Sequence, residues 1–423
     1  MLLVAALMAK ICIITAGHLA TCPRMLKAAD ALSGHGHTVR VVSGSSMPWA
    51  AQADRALGRD RRWDWTRICY RRDQAATTWL RSGLRHRAAR IAAQYVPARL
   101  AGFAVAARAY NRIYPELLRA ALGSPADLYY AGGGAMAIGY AAGRSAGVSF
   151  AADLEDFHSG EQEDRGAGRQ RNRLARALER QLFPAAAFLT TASEEMADAY
   201  AAAYHRRPTV IHNTFPLPAE PPDIDDNQGR LKMYWFSQTI GPERGLEDVI
   251  RAAGMASLDV ELHLRGCAIP GYLAGLQRLA ASCAPKLTLV AHDPTTPAEM
   301  VAGCREYQIG LALEKPDVLN RNLCLTNKAL TYILAGLAVV FTDTLGQRRL
   351  ARQLGEGALL VGAGDLPGLA AALRRWDEDR GLLLRARRAA WNAARERWHW
   401  EHECERGRLL KDVEGAIHRT SCE

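Results

Sequence analysis

Residues Thr326 to Asp343 read TNKALTYILAGLAVVFTD. The polar run Thr326-Asn327-Lys328 can cap an apolar helical segment, Gly336 supplies a left-handed stop, and Val339 to Phe341 has the β-branched and aromatic character of a buried strand. Loop, helix, glycine and strand in that order form the repeating unit of an open parallel sheet. In such sheets ligands sit beyond the carboxyl ends of the strands, where helix N-termini present unpaired N–H groups and partial positive charge. Two readings stay open for Thr326 to Lys328: a surface facing an anionic ligand, or the capped start of an ordinary α/β helix.

Working outward, strands are predicted at Lys232 to Phe236, Val260 to Leu264, Leu287 to Val290 and Ile309 to Leu313, with helical patterns between them. The first of these leads through the loop SQTIGPERG into a helix from Leu246. Arg244 and Gly245 thus fall at a strand-to-helix turn, where a guanidinium beside a flexible backbone suits a diphosphate or is simply solvated. If this turn and the one at Lys328 lie at strand ends of one sheet, the two cations converge.

The first half opens with a strand at Lys10 to Thr15, the loop AGHLATCPR, a helix from about Met25 to Leu32 and a strand at Thr38 to Ser43. This is a βαβ unit whose first loop carries Gly17, His18, Pro23 and Arg24 in the ligand-contacting position. An imidazole there can take a hydroxyl proton near neutral pH, or hold the loop. A strand at Asp127 to Ala131 runs into Gly132-Gly133-Gly134, which admits close approach of a ligand or a neighbouring strand but lacks the spaced GxGxxG of a nicotinamide site. Val148 to Ala152 leads into Asp153, Glu155, Asp156 and His158, a cluster suited to proton transfer, to charge stabilisation, to a metal or to capping the next helix. Phe188 to Ala192 and Thr209 to His212 complete this half as strands. The Pro-rich, acidic stretch Pro216 to Arg230 is the expected linker, which separates an N-terminal domain 1–215 from a C-terminal domain 231–400. A helical tail follows, with Trp391, Trp398 and Trp400 as packing residues and the segment from about 400 onward expected to return to the first domain.

A length of 423 residues, 49% hydrophobic and 23% charged, fits two globular domains. The nine cysteines are odd in number, scattered and free of CxxC pairs, which argues against a disulfide framework or zinc site and for a reducing cytoplasm. The apolar start MLLVAALM is too short to span a bilayer and lacks the flanks of a signal peptide; Met8 is an alternative start to Met1. A net charge of +10 implies an anionic partner, yet no nucleic-acid module accompanies it. Within residues 79–113 lie Arg81, Arg85, Arg87, Arg90, Arg99, Arg108 and Arg112, interleaved with apolar side chains. That region is either a solvated basic face or a surface for anionic lipid at the inner membrane face, or for a phosphorylated acceptor.

Taken together, these residues resemble the nucleotide-sugar glycosyltransferases of the GT-B fold, particularly the bacterial family 4 type. ICIITAGHLATCPRMLKAADALSGHGHTVRVV is similar to that family's first βαβ unit, DLEDFHSGE to its acidic loop, and GPERGLEDVIRA to its donor-phosphate turn with Arg244 in place of the usual Lys. TNKALTYILAGLAVV is similar to the donor helix, and Trp400-Glu401 to the closing Trp-Glu. The resemblance implies two Rossmann-like α/β domains facing a cleft, with an acceptor on the first and a UDP- or GDP-sugar on the second. It implies no cofactor and no metal, and a donor held by Arg244, Gly245, Thr326, Asn327, Lys328 and Thr331, with Arg244 and Lys328 on the diphosphate. On the acceptor side it places Gly17, Arg24, Gly133 and Gly134. His18 resembles the base of inverting members, with Asp153, Glu155 and His158 as further acid–base candidates.

The family commonly carries two Glu eight positions apart around the donor helix; those slots hold Leu323 and Thr331 here. Glu306 and Glu314 have the spacing but bracket a strand, so the match reads as chance, and Glu314 stays among donor-side candidates only by its place at that strand's end. The missing carboxylate leaves inverting and retaining chemistry both open. It also keeps two other readings, a nucleotide-sugar epimerase and a non-catalytic sugar-nucleotide binding protein.

Overall fold

The computed structural model describes residues 8–59, 61–95, 98–224 and 229–422. Most of the apolar start and Asp225 to Gln228 of the expected linker lie outside the described residues. The chain divides into two compact units: the first runs to Ile211 and takes back the C-terminal helix Glu403–Cys422, and the second is His212 to His402.

In the first unit, strands β1 (Lys10–Thr15), β2 (Thr38–Ser45), β3 (Asp64–Cys69), β4 (Leu128–Gly132), β5 (Ser149–Leu154), β6 (Leu189–Thr191) and β7 (Thr209–Val210) form one parallel sheet in the order β3-β2-β1-β4-β5-β6-β7. Helix α1 (Pro23–Gly34) returns β1 to β2, α2 (Pro48–Leu57) returns β2 to β3, and α3 (Ala76–Tyr95) and α4 (Ala98–Tyr110) follow β3. Pro23 and Pro48 each start a helix, where a missing N–H costs nothing. The C-terminal helix lies on α1 and β5, with Arg408 Nη1 donating to Val210 O at 2.9 Å.

In the second unit, β8 (Leu231–Ile240), β9 (Val260–Ala268), β10 (Thr288–His292), β11 (Ile309–Ala312), β12 (Ala338–Thr342) and β13 (Ala358–Val361) run parallel in the order β10-β9-β8-β11-β12-β13. In both sheets the order of strands reverses beside the first strand, between β1 and β4 and between β8 and β11. That is where open α/β sheets place ligands. β12 shows how the sheet is held: Val340 belongs to the apolar core on one face, and Val339 and Phe341 to the core on the other. This is the period of two of a strand buried on both sides, and each such side chain stabilises by about 1.5–3 kcal/mol.

One expectation changes. The loop predicted from Ser237 is shorter, because β8 continues to Ile240 beside β9 through an irregularity between Phe236 and Thr239. The described part of the Pro216 to Arg230 stretch is hydrogen-bonded to the rest of the second unit. Leu217 N donates to Glu401 Oε2 at 2.9 Å, Arg305 Nη2 to Glu220 O at 2.6 Å and Arg387 Nη2 to Asp223 O at 3.1 Å, all within the second unit. No helix among the described residues is long and apolar enough to cross a membrane.

Candidate functional site

In the second unit the segments that follow the carboxyl ends of β8 and β11 carry the donor-side candidates. Gly245, left-handed at φ 72, ends the β8 loop and begins the helix Leu246–Met255, which leaves Arg244 beside that helix's N-terminus. Thr326 precedes the helix Asn327–Leu334, placing Lys328 in its first turn. Both cations meet at Glu314, just beyond β11. Lys328 Nζ lies 2.7 Å from Glu314 Oε1, and Arg244 Nη1 lies 3.5 Å from Glu314 Oε2. Glu314 is fixed from below by its own N–H, which donates to Thr342 Oγ1 at 3.2 Å. Burial acts most strongly against its charge, but the Lys328 ammonium, then Arg244 and Arg321, outweigh it and hold the carboxyl below its usual range.

Arg244 and Lys328 therefore converge through a shared carboxylate, Glu314, the donor-side candidate at the end of β11. Lys328 is buried and its Nζ sits 5.8 Å from the Trp235 ring centroid, whereas Arg244 keeps about a third of its side chain exposed. Two polar atoms remain unsatisfied here. Thr326 stands at the N-cap but its hydroxyl makes no capping bond, and Thr326 Oγ1 and Trp235 Nε1 are buried without a partner. An orphaned buried polar group costs about 1–3 kcal/mol, and the Thr326 hydroxyl stands at a helix N-terminus beside a cation. Thr331 instead faces the interior, donating to Asn327 O at 2.8 Å, and does not stand where a ligand could use it. Beside the cations opens a recess lined by Gly245, Asp248, Leu313, Glu314, Thr342 and the Gly362 to Asp365 loop. That loop follows β13, which sequence reading missed.

In the first unit the predicted residues cluster at the carboxyl ends of β1, β4 and β5 but are largely bound to one another. His18 is buried: Nδ1 lies 2.6 Å from Asp54 Oδ2, and Nε2 accepts from the N–H groups of Ser46 at 2.8 Å and Met47 at 2.9 Å. Two donors at Nε2 put the ring proton on Nδ1, so His18 ties the β1 loop to the start of α2 and neither ring nitrogen is turned to a ligand. Gly17 lies in the same loop, with nothing within 4 Å of where a Cβ would stand. Arg24 and Asp153 form a buried two-point ion pair, with Arg24 also donating to Ile211 O and Thr190 Oγ1 to Asp153 Oδ1 at 2.6 Å. Their charges are spent on joining β5, β6 and α1.

His158 is buried with Nδ1 3.2 Å from Glu161 Oε2, while Nε2 has no partner and points at Gly133, where a Cβ would lie 1.6 Å from it. The glycine run thus admits a histidine ring, and Gly134 admits Ala16 in the same way. Burial works against charge on His158, but Glu161 raises its pKa above the ordinary value. Glu155, half-buried after β5, is different in kind: burial first, then Asp156, push its carboxyl up to about 7.

The paired doubly wound units define the GT-B fold, and the likeness extends over nearly the whole chain. Anabaena Alr3699/HepE, solved in complex with UDP-glucose, is similar at a TM-score of 0.66 and 16% identity, over 98% of this chain and 100% of that one. The sucrose-phosphate synthase tll1590 of Thermosynechococcus elongatus is similar at 0.65 and 14%, over 96% and 100%. A glycosyltransferase from Rickettsia africae is similar at 0.63 and 12%, over 98% and 99%. At such identities the likeness establishes the fold. No protein-family model matches the sequence, and no curated protein matches it.

Proposed function

We propose that this chain moves a sugar from a nucleoside-diphosphate sugar, UDP- or GDP-linked, to an acceptor hydroxyl, in the manner of family 4 glycosyltransferases. One observation carries the proposal: Arg244 and Lys328, from two different strand ends of the second unit, meet at one carboxylate beside a helix N-terminus with an unsatisfied buried hydroxyl. The similar HepE structure holds UDP-glucose, which supports a nucleotide sugar as the ligand of this chain's second unit. As the bond from the anomeric carbon to the diphosphate breaks, negative charge grows on the leaving oxygen. Arg244, the more exposed cation, would meet it, and Lys328 would share its charge between Glu314 and the phosphate. A well-placed donor of this kind contributes about 3–4 kcal/mol to a transition state. These cations supply the charge a divalent ion would bring, so turnover is expected to survive chelation.

For the acceptor proton we propose Glu155. A carboxyl titrating near 7 is matched to proton transfer at neutral pH, whereas Asp153 is paired and His18 is engaged at both nitrogens. His18 then acts by positioning the loop. The test is calorimetric titration with UDP and GDP, followed by assay of donor consumption with acceptor mixtures. Absence of nucleotide binding would end the proposal.

The same proposal includes a membrane contact. On α3, Leu80, Leu84, Ile91 and Tyr95 are each more than half exposed and span about 60° of arc at 100° per residue, flanked by exposed Arg81, Arg87 and Arg90. An apolar stripe edged with arginines suits an anionic bilayer surface.

A further inference from the structure

The first unit holds a second concave site, which adjoins the β1 loop through Ser46. It opens at the carboxyl ends of β2 and β3, between Ser46 and Tyr70, and its wall includes Arg71, Arg72, Asp73, Trp79 and Arg112. The three guanidiniums are not equivalent. Arg71 is paired with Asp73 through Nε at 3.0 Å and through Nη2. Arg72 and Arg112 have no carboxylate partner among the described residues. Arg112 is held in place by neutral groups: Nε donates to Ser82 Oγ at 3.0 Å and Nη2 to Trp79 O, and the guanidinium lies 5.5 Å from the Trp79 ring centroid and 5.7 Å from that of Tyr70. Arg72 lies 5.6 Å from the same Trp79 ring. Aromatic rings orient guanidiniums without neutralising them. The result is two cations without a carboxylate partner among the described residues around one indole, Arg112 held by its neutral partners and Arg72 exposed, in a recess at the carboxyl ends of two parallel strands.

Building on the sugar-transfer reading, we infer that this recess binds a phosphate ester on the acceptor, gripped by Arg72 and Arg112 against the Trp79 and Tyr70 rings. A solvated arginine has its rotamers to lose on meeting an anion, whereas Arg112 is already held by Ser82 and Trp79, which favours a compact oxyanion presented at one place, with the exposed Arg72 closing on it. The acceptor is therefore a phosphorylated molecule, and the charge of the first unit selects it.

The test is calorimetric titration of the full chain with phenyl phosphate, phenol, benzoate and inorganic phosphate, with UDP titrated separately. Phenyl phosphate is expected to bind at least tenfold more tightly than phenol and benzoate, and to weaken at least tenfold in Arg72→Gln while UDP affinity stays within twofold. Arg112→Gln should behave likewise. Because Arg112 also supports the start of α3, the exposed Arg72 is the deciding variant should Arg112→Gln fold poorly. If neither phenyl phosphate nor inorganic phosphate binds in an Arg72-dependent way, the inference is overturned, and benzoate binding as tightly overturns the assignment to phosphate. UDP binding without phosphate-ester binding leaves the donor reading standing and removes this one; the reverse result removes the donor reading and leaves an Arg72-dependent phosphate site.

Discussion

The Glu314–Lys328 pair allows a sharp test, because it is buried, short and asymmetric in what surrounds each partner. Removing one member of a buried ion pair costs about 3–5 kcal/mol, since the other charge is left uncompensated in a poor solvent. The two single variants should not cost the same. In Lys328→Met, Glu314 still faces Arg244 at 3.5 Å, so a loss of about 2–3 kcal/mol is expected. In Glu314→Leu, the Lys328 ammonium keeps only the Trp235 ring at 5.8 Å, an interaction of about 0.5–2 kcal/mol, and the loss should reach about 4 kcal/mol. The double variant removes both charges and both desolvation penalties. It should cost less than about 2 kcal/mol, giving a coupling of roughly 4 kcal/mol. Urea unfolding followed by fluorescence measures all three. If the double variant costs the sum of the singles to within about 0.5 kcal/mol, the pair is not coupled and the account of the site as a compensated charge cluster fails. UDP binding should be lost in Lys328→Met even where the fold survives, because the helix N-terminus then lacks its cation.

Arg244→Ala should weaken UDP or GDP binding at least tenfold by calorimetry while changing stability by less than about 1 kcal/mol, since its ion pair is long and partly solvated. Glu155→Gln should lower turnover on the order of 100 to 10,000-fold, and wild-type kcat/KM should rise with pH through an apparent pKa near 7. Its folded pKa lies above the usual 4.5, so the fold binds a proton that the unfolded chain has lost; wild-type stability should fall between pH 4.5 and 7, by at most about 3 kcal/mol, and Glu155→Gln should lack that fall in urea melts at pH 5 and 8. Asp54→Ala should destabilise by about 1–3 kcal/mol by leaving His18 Nδ1–H unpaired in the core, and UDP affinity should not move. Leu84→Glu with Ile91→Glu should abolish co-sedimentation with anionic vesicles and leave zwitterionic vesicles equally unbound; sedimentation unaffected by the change would remove the membrane contact.

What could be read from the sequence, and what could not, follows from how far each signal reaches along the chain. Central strands such as β1 and β12 are buried on both faces, so their apolar runs announce them; β3 and β13 lie at the sheet edges, where the alternation DWTRIC and the short ALLV carry little periodicity, and both were missed. The recess in each unit is bounded by the loop after one of those edge strands, which is why Tyr70 to Asp73 and Gly362 to Asp365 went unmarked while the turns at Gly245 and Thr326 did not. Roles fixed by distant partners were equally out of reach. His18 sits in the expected loop, but only the fold brings Asp54 and the start of α2 to its two nitrogens. Glu314 is the instructive case, because the spacing to Glu306 was a weak reason to notice it and its place at a strand end was the better one. A lone carboxylate among cations draws its meaning from charge, and it is the fold that makes Glu314 the point through which Arg244 and Lys328 act on each other.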